Sequence, residues 1–542
     1  MPSPDPTVTV AADPAIWPSS GWQEDVGAPG EWASLLGDLT DEGAREPRWR
    51  VHDRTHLELA VEYPLGDEKE EGKEKAKRTY VWEAYFYIPR SLRVGPDSYS
   101  KEHMLRDLQS YVRFAVPPLS LEELAAIPEE RLRPALAGWG HTSSDGAPDE
   151  EATERAVREL RLFACHIRAS AISARRTLQR MAQRSDRATV EMGVRTLLVR
   201  LDRVLSSFRA VIGEATDSSA QVTARWVDED VSRVVETILS TLSIKLREDG
   251  FESAATLLAG GAVAEARYRA LHGHDGVGRE GASKRAVEHL EFRRHMLKRF
   301  TSSVLWLRRQ VSEGGKWTLH VLYAIAASAA MAFAIVAALY HGPNFQVIGD
   351  LWTWAVVVML AYAGKDRIKA TLQGVFSKWV RKHLPDRRWR LLDRAEGRRV
   401  GTVQERSAFV ANDDVPAGVR AARNSTRQHH LEEQARPERV LWHQKICTLR
   451  SAEAHAIDPR FASITEIFRL DLRRWLAHTD DPKQRIYFAD PETQQVTSAM
   501  APRVYNIGIV YRVRPKDEPN TPWKRVRVVV GRKGIKRIEA VE

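Results

Sequence analysis

The sequence predicts a membrane-anchored α+β protein with a cytoplasmic helical bundle or coiled-coil region, a two-helix transmembrane hairpin, and a C-terminal α+β domain that ends in an antiparallel meander. Three observations lead to this fold class. Residues 317–340 form a charge-free apolar segment, apolar residues recur at heptad spacing between residues 157 and 307, and short segments of alternating polarity lie near both ends of the chain. The predicted regions are an N-terminal loop plus β-hairpin region (1–115), a helical bundle (116–313), the transmembrane hairpin (317–363), a basic juxtamembrane helix (364–399) and the C-terminal α+β domain (400–542).

The composition of the 542 residues excludes several classes of protein. Apolar residues make up 43% and charged residues 28%, which are ordinary globular values and argue against wholesale disorder and against a polytopic transporter. The two cysteines are too few for a disulfide scaffold or a Cys-rich zinc cluster. Cys165 and Cys447 both fall in predicted cytosolic regions, where reduced thiols are expected.

The predicted membrane hairpin is the clearest pattern in the chain. Trp317–Tyr340 has no Asp, Glu, Lys or Arg, and its length suits a transmembrane helix. A short link at residues 341–344 leads to Phe345–Ala363, which as a helix is about 28 Å long. Alanines at positions 326, 330, 334 and 338 leave room for a second helix to approach closely. The second span is the expected neighbour, and a homo-oligomeric contact is the alternative.

Asp350 is the residue that tests this interpretation. If Asp350 caps the second helix, the apolar run shrinks to Leu351–Ala363, which is about 20 Å long and too short for a hydrocarbon core of about 30 Å. A re-entrant or interfacial segment would then follow. We favour a span that begins near Phe345 and places Asp350 close to the far interface. The alternative is that Asp350 is a functional carboxylate within the membrane.

The expected location follows from the charges beside the predicted spans. Lys and Arg residues flank both spans and are absent from the link, which places both terminal regions in the cytoplasm. The first twenty residues lack the basic and apolar regions of a signal peptide, so the hairpin itself is expected to direct insertion. Abundant Arg and Ala suggest a GC-rich bacterial genome. The sequence therefore predicts a bacterial inner (plasma) membrane protein with two spans and cytoplasmic N- and C-terminal domains.

Heptad spacing predicts the long helices before the hairpin. Apolar residues step by three and four from Val157 to Met181 and again from Val190 to Ala215, with a turn expected near Ser185. Further helices are expected from Ser218 and from about Ser283. Such stripes fit an antiparallel bundle or a coiled coil, and the same period serves an interface with another protein or a second copy of the chain.

Alternating polarity predicts strands on either side of the helical regions. Leu57–Tyr63 and Trp82–Ile88 have the period of two that half-buried strands show and are expected to pair. Six strands are predicted in the C-terminal domain, at residues 400–410, 440–449, 485–488, 504–513, 524–530 and 535–541, with helices at about 419–434 and 464–478. The last three strands are expected to form the closing meander.

The net charge of residues 364–399 accounts for most of the net positive charge of the chain. Twelve basic residues stand against four acidic ones, a net charge of +8 out of +10 for the whole sequence. A basic cluster beside a membrane span attracts anionic lipid headgroups at about 1 kcal/mol per residue. An interfacial amphipathic helix is favoured over nucleic-acid binding. The predicted membrane-surface residues are Lys365, Arg367, Lys369, Lys378, Arg381, Lys382, Arg387, Arg388 and Arg390.

Motifs for catalysis or for cofactors are weak. Gly276–Gly281 matches G-x-G-x-x-G but follows a predicted helix instead of a strand, so the context for dinucleotide binding is missing. His429 with Glu433, and the group at residues 272–275, are each too small for a metal site. His443 and Cys447 lie on one face of a predicted strand, about 13 Å apart. No catalytic, cofactor-binding or metal-binding residue is predicted, and no cofactor.

The sequence thus indicates topology more strongly than activity. The favoured hypothesis is an integral inner-membrane protein that acts as a membrane-anchored cytoplasmic scaffold or as a regulatory or sensor protein. The first alternative is a membrane effector whose transmembrane hairpin oligomerises on a signal. The second alternative is a membrane-surface enzyme of unrecognised type. The expected partners are the lipid bilayer with its anionic headgroups, and a second copy or another protein through the heptad helices. Nucleic acid is not an expected partner.

Overall fold

The computed structural model describes residues 47–66, 77–116, 118–139, 149–215, 217–274, 283–311, 314–341, 350–424, 438–480, 483–492 and 494–541. The strands are β1 (Arg48–Val51), β2 (His56–Pro64), β3 (Lys77–Pro89), β4 (Leu108–Ala115), β5 (Arg308–Val311), β6 (Arg387–Leu392), β7 (Arg399–Val410), β8 (Glu438–Arg450), β9 (Ser463–Asp471), β10 (Lys483–Asp490), β11 (Gln495–Pro502), β12 (Tyr505–Pro515), β13 (Lys524–Gly531) and β14 (Gly534–Val541). The helices are α1 (Lys101–Asp107), α2 (Leu121–Ile127), α3 (Arg133–Ala137), α4 (Glu150–Ala182), α5 (Arg187–Gly213), α6 (Ser218–Glu248), α7 (Glu252–Leu271), α8 (Lys284–Ser302), α9 (Gly314–His341), α10 (Asp350–His383), α11 (Ala417–Asn424), α12 (Ser451–Ile457) and α13 (Arg473–Leu476).

Two antiparallel sheets form a sandwich at the centre of the fold. One has four strands in the order β1-β2-β9-β4, and the other has eight in the order β14-β13-β12-β3-β8-β7-β6-β5. Apolar side chains from both sheets share one core, in which the ring of Trp82 on β3 stacks on Phe468 of β9 at 4.6 Å. The closing meander expected from the sequence is present, since β12 pairs with β13 and β13 with β14.

The strands pair with partners that are distant in sequence, and the alternating pattern does not indicate which strands pair. The strands predicted at residues 57–63 and 82–88 lie in different sheets, because β2 pairs with β9 and β3 pairs with β8 and β12. β9 occupies part of the region where a helix is expected at 464–478. There Ile464, Glu466, Phe468 and Leu470 are all buried at alternate positions. Apolar residues at positions 464, 467, 468 and 470 fit a helical period as well, and burial between sheets decides in favour of the strand.

The helical bundle is inserted between β4 and β5. Most of the heptad residues are buried against one another, as in the stacked pair Phe163 on α4 and Phe208 on α5, whose ring centroids are 4.6 Å apart. α4 also contacts the sandwich, because Leu162 and Cys165 belong to the sandwich core while Phe163 belongs to the bundle core. One helix therefore joins the two halves of the fold.

Three consecutive acidic residues make α6 the centre of the bundle. Successive residues on a helix point about 100° apart, so the three side chains face different neighbours. Asp228 accepts hydrogen bonds from Arg209 on α5 (3.2 Å) and from Tyr268 on α7 (2.8 Å). Glu229 pairs with Arg293 on α8 at 2.7 Å, and Asp230 pairs with Arg168 on α4 at 2.7 Å. All three carboxylates are buried and tie α6 to four surrounding helices.

The predicted transmembrane hairpin is wrong. Among the residues that the structure describes, no helix has the length and apolar character that crossing a membrane requires. α10 is described from Asp350 to His383, and its apolar part within these residues, 351–363, is about 20 Å of helix. Residues 342–349 lie outside the described residues. The other half of α10 carries Lys365, Asp366, Arg367 and Lys369.

The predictions that depended on two spans are corrected together with the hairpin. These are the membrane anchor in the fold class, the description of the chain as a transmembrane protein, and the location in a bacterial inner membrane with both termini cytoplasmic. The basic stretch at 364–399 is also not one helix. Its first part belongs to α10, and Arg387, Arg388 and Arg390 lie on strand β6.

The pair formed by Asp230 and Arg168 gives a test of the bundle. Replacing Asp230 with Asn leaves the guanidinium of Arg168 buried without its carboxylate, so D230N is expected to lower the free energy of unfolding by about 3–5 kcal/mol. Glu248 is an acidic residue on the same helix but forms an exposed pair with Lys245 at 3.4 Å. The control E248Q should therefore change the free energy by less than about 1 kcal/mol. Urea titrations of the three proteins measure both values, and equal midpoints for all of them would contradict this role of Asp230.

Candidate functional site

The most prominent surface feature is the helical hairpin of α9 and α10, which is inserted between the edge strand β5 and its neighbour β6. The two helices are about 42 Å and 51 Å long. Ala326 and Ala330 of α9 are buried. The hydroxyl groups of Tyr323 and Ser377 lie 2.8 Å apart across the two helices. A Cβ at Gly364 would lie 3.1 Å from the Phe333 ring, so the glycine permits close approach of the helices there. Of the four alanines that the sequence suggested for helix packing, Ala326 and Ala330 are buried and Ala334 is half-buried, and the side chain of Ala338 lies outside the described residues.

The surface of α9 that faces away from the buried alanines is also apolar. Val321, Ile325, Ile335 and Leu339 project roughly opposite Ala326 and Ala330, given about 100° per residue, and all four are exposed. On α10, Trp352, Val356, Met359 and Leu360 are exposed as well. We give the name apolar stripe to twelve exposed apolar side chains of the two helices: Trp317, Val321, Ile325, Met331, Ile335, Val336, Leu339, Trp352, Val356, Met359, Leu360 and Tyr362. Phe333 beside Gly364, and Val375 farther along α10, are also exposed and are not counted in it.

The apolar stripe is large for an isolated chain. Its side chains together expose on the order of 1,000 Å² of apolar surface, whereas monomers usually keep their largest such patch to a few hundred Å². A helix that is apolar on all sides is normally covered on all sides. The stripe is therefore the surface of the described chain that most clearly lacks a neighbour.

Basic residues follow the apolar stripe along α10. Lys365 is half-buried, with its Nζ 3.8 Å from the centre of the Tyr362 ring, while Arg367 and Lys369 are exposed. Of the other predicted surface cations, Arg387 donates to the carbonyl oxygen of Leu105 at 2.9 Å and lies over Trp389. The side chains of Lys378, Arg381 and Lys382, and that of Asp350, lie outside the described residues. The structure thus divides the predicted basic surface between the hairpin and the sheet.

A buried ionic cluster lies between the two sheets, and we call it the sandwich cluster: Lys445, Glu405, Glu466, Ser110 and Tyr63. Lys445 on β8 is 1% exposed and bonds to Glu405 on β7 at 2.9 Å and to Glu466 on the opposite sheet. Ser110 and Tyr63 bond to the Glu466 carboxylate as well, Tyr63 at 3.1 Å. One ammonium therefore joins a carboxylate from each sheet.

The protonation of the sandwich cluster follows from these contacts. Burial disfavours the charged ammonium of Lys445, but Glu405 and Glu466 outweigh it and raise the pKa of Lys445. Burial likewise favours the neutral acid at Glu405, but Lys445 outweighs it and lowers the pKa of that carboxyl to about 2. Lys445 is thus held as a cation, which removes the lone pair that a nucleophilic lysine needs.

A serine and a histidine are hydrogen-bonded beside this cluster. Ser407 Oγ lies 2.7 Å from His443 Nδ1, and the Asp386 carboxylate accepts from the backbone N–H of Ser407 at 2.9 Å. A nucleophilic serine needs a base within such a distance. Both side chains are buried, however, and burial lowers the pKa of His443 to about 4, which weakens it as a base near neutral pH. We therefore assign the pair a structural role.

The other residues singled out from the sequence fall into three groups. His274 is 3.3 Å from Asp228 and belongs to the ionic contacts of α6, while His272 is exposed. Gly276–Gly281, Asp275, His429 and Glu433 lie outside the described residues. Cys165 and Cys447 are free and buried, and burial raises the pKa of both thiols. Over the described residues no cluster of His, Cys, Asp and Glu is arranged to hold a metal ion.

Sequence reasoning missed the sandwich cluster, although a signal was present. Alternate residues of β8 from Leu441 to Leu449 point into the core, and the pattern places His443, Lys445 and Cys447 among them. Polar residues at inward positions of a strand predict buried partners. Their partners come from β7 and β9, the strands before and after β8 in the chain, but β9 lies in the opposite sheet and was expected to be a helix, so the contact with Glu466 was not predicted.

Comparison with known proteins gives no match to any protein family, curated protein or solved structure.

The sandwich cluster predicts an unusual dependence of stability on pH. Without the Lys445 cation, the buried carboxyl of Glu405 loses the charge that lowers its pKa, so burial makes it bind a proton more tightly in the folded state than in the unfolded one. K445M is therefore expected to be less stable than wild type by about 3–5 kcal/mol at pH 7. In wild type the pKa of Glu405 is lowered. The contribution of Glu405 to the free energy of unfolding is therefore complete above pH 4.5 and is lost as the pH falls toward 2.

The measurement is the free energy of unfolding at pH 7 and pH 5. The difference in the free energy of unfolding between wild type and K445M should be smaller at pH 5. Protonation of Glu405 then removes a buried charge that has lost its partner in the variant. Lys533 is exposed in the turn before β14, so the control K533M should have the same free energy of unfolding as wild type at both pH values. A difference between K445M and wild type that stays constant with pH would argue against charge pairing as the function of Lys445.

Proposed function

We propose that this protein is an interaction scaffold whose α9–α10 hairpin recruits a helical protein partner along the apolar stripe. The observation that carries the proposal is the apolar surface on the side of α9 opposite its buried alanines. Burial of apolar surface is the main driving force of protein association. A stripe of on the order of 1,000 Å² matches one side of a standard protein interface, about 800 Å² per partner.

The interior of the protein supports a structural role for its charged residues. The sandwich cluster and the acidic residues of α6 are each satisfied by oppositely charged side chains. Buried charges that are fully paired specify a fold and hold its parts together. They support a rigid base that presents the hairpin, in agreement with the favoured hypothesis of a scaffold, but without the membrane anchor.

The chemistry of the hairpin describes the partner. A straight two-helix surface is matched by a helix that packs its side chains into the grooves between those of α9 and α10. The cations Lys365, Arg367 and Lys369 follow the stripe on α10. The partner is therefore a helix with a long apolar face followed by acidic residues, because opposite charges fix the orientation and exclude wrong partners.

The test uses a charge placed within the apolar stripe. Val336 is 65% exposed on α9, and Val199 is 70% exposed on α5 of the bundle, so V336E and V199E are matched substitutions of exposed helical valines. A buried glutamate in an interface costs several kcal/mol. Full-length wild type and V199E should capture the same protein from extract and cross-link to it through residues 321–339, whereas V336E should lose at least about 90% of the capture.

Three outcomes would overturn the proposal. Capture that V336E leaves intact would show that the stripe is not the docking surface. If the mass of the purified protein rises with its concentration, and V336E abolishes this rise, the stripe would be assigned to a second copy of the chain. Flotation of purified protein with vesicles of anionic lipid, lost in V336E, would assign the stripe and its cations to lipid, which is the partner that the sequence favoured.

A further inference from the structure

The outer face of the eight-stranded sheet, which points away from the sandwich core, carries a group of arginines. Leu391 on β6, Leu449 on β8 and the contact of Arg309 with Trp389 lie on the core side, so the residues that alternate with them point outward. We give the name arginine face to five residues on four adjacent strands: Arg308 on β5, Arg388 and Arg390 on β6, Arg399 on β7 and Arg450 on β8.

Strand pairing brings the arginine face together. Arg390 lies opposite Gln310 of β5 and opposite Thr402 of β7. Thr402 in turn lies opposite Thr448 of β8, which is two residues before Arg450. Adjacent strands are about 4.8 Å apart, so the four strands from β5 to β8 make the face about 14 Å wide.

The positive charges of the arginine face are not balanced by neighbouring side chains. Within the described residues, none of the five guanidinium groups forms an ion pair or a hydrogen bond. Glu396 and Glu453 pair with Arg398. Burial lowers the pKa of Arg399, and so do the positive charges of three neighbours, namely Arg450, Arg390 and Arg388. A bound anion would relieve this repulsion between like charges.

The chemistry of this surface fits phosphate groups. A guanidinium presents parallel N–H donors that match two oxygens of one phosphate. Gln310, Gln404 and Thr448 lie on the same face between the arginines, and amide and hydroxyl side chains are common donors to phosphate oxygens. The apolar residues of this face, Leu392 and Ile446, are not exposed. Surfaces that bind membranes insert apolar side chains among their cations, and the arginine face offers none.

The extent of the arginine face distinguishes a polyanion from a single phosphate. A face about 14 Å wide is too broad for its five guanidinium groups to meet on one phosphate, whereas a nucleic-acid duplex carries about eight charges over that length. Proteins that bind single strands stack the bases on aromatic rings. No aromatic side chain of the described strands lies between the five arginines, which favours a duplex whose bases remain paired.

We propose that the arginine face binds the phosphate backbone of a nucleic-acid duplex by charge, without reading the base sequence. The inference goes beyond the proposed function and does not depend on it, because the arginine face and the apolar stripe share no residues. Sequence reasoning considered only residues 364–399, which hold three of the five arginines. Arg308 and Arg450 join them only through strand pairing. The consequence is that a partner bound to the hairpin is brought to the duplex.

The test removes two of these charges and follows DNA binding as a function of salt concentration. Arg388 and Arg390 are exposed and unpaired within the described chain, so full-length R388Q/R390Q should keep the urea midpoint of wild type. The matched control is R184Q/R187Q, because Arg184 and Arg187 are exposed where α4 leads into α5 and their replacement removes the same net charge. The probe is a fluorescent DNA duplex of about 20 base pairs, and its anisotropy is measured between about 50 and about 200 mM salt.

Each phosphate contact that is lost lowers the slope of log Kd against log salt concentration by about 0.9. R388Q/R390Q is therefore expected to lower this slope by about 2 and to raise Kd at least about tenfold at about 100 mM salt. The control R184Q/R187Q should match wild type in both quantities. A second duplex of unrelated sequence should bind to wild type with a Kd within about twofold of the first.

A wild type that does not bind the duplex would overturn the inference, and so would a slope that is the same in R388Q/R390Q and in wild type. Flotation with vesicles of anionic lipid that R388Q/R390Q loses, with duplex binding unchanged, would assign the arginine face to lipid instead. V336E should bind the duplex as wild type does. The titration therefore succeeds or fails separately from the capture experiment on the apolar stripe.

Discussion

The ion pairs of Lys445 are the interaction on which the rest of the structure depends. A single ammonium between the sheets bonds to Glu405 on its own sheet and to Glu466 on the other, so it fixes their relative position as well as their separation. Apolar packing alone tolerates small slips between two faces, whereas a buried charge loses several kcal/mol when its partner moves away. Glu466 also bonds to Ser110 of β4, the strand from which the chain leaves for the bundle. The cluster thus connects the core of the sandwich to the place where the larger insertion begins.

Both insertions use the sandwich as a rigid base. The bundle leaves at β4 and returns at β5, and α4 fixes its orientation by contributing residues to both cores. The hairpin leaves at β5 and returns at β6, which are antiparallel neighbours, so its two ends are tied together by strand pairing. Such attachment presents the apolar stripe on a fixed support, and a surface that is ordered in advance loses less entropy when a partner binds. The arrangement is consistent with a scaffold whose buried charges are paired and whose hairpin exposes an apolar surface.

The sequence predicted local structure better than it predicted pairing. Alternation located β2, β3, β7 and β8, and heptad spacing located α4, α5, α6 and α8, because both patterns follow directly from which side of an element is buried. α7 was not predicted. The helix expected at 464–478 is β9 for most of its length, since its apolar spacing fits either period. The transmembrane hairpin was inferred from the absence of charge over residues 317–340, a pattern that in this fold produces a helix with an apolar exposed side. The pairing of β3 with β8 and of β2 with β9 was not predictable, because these strands lie hundreds of positions apart. The sandwich cluster was not predicted because its residues come from two different sheets, and because β9, which carries Glu466, was expected to be a helix.

The most direct test of the account measures whether the apolar stripe is covered in the native complex. The two natural cysteines are buried, so V336C and V199C each add one accessible thiol, at positions with similar exposure. Maleimide labelling is compared in a membrane-free native extract and after purification to homogeneity. We expect V336C to label at least about five times more slowly than V199C in the extract and at a similar rate once purified. Equal labelling of the two thiols in the extract would contradict the claim that a protein partner covers the hairpin. Removal of the protein together with the membranes, when the extract is prepared, would contradict it as well.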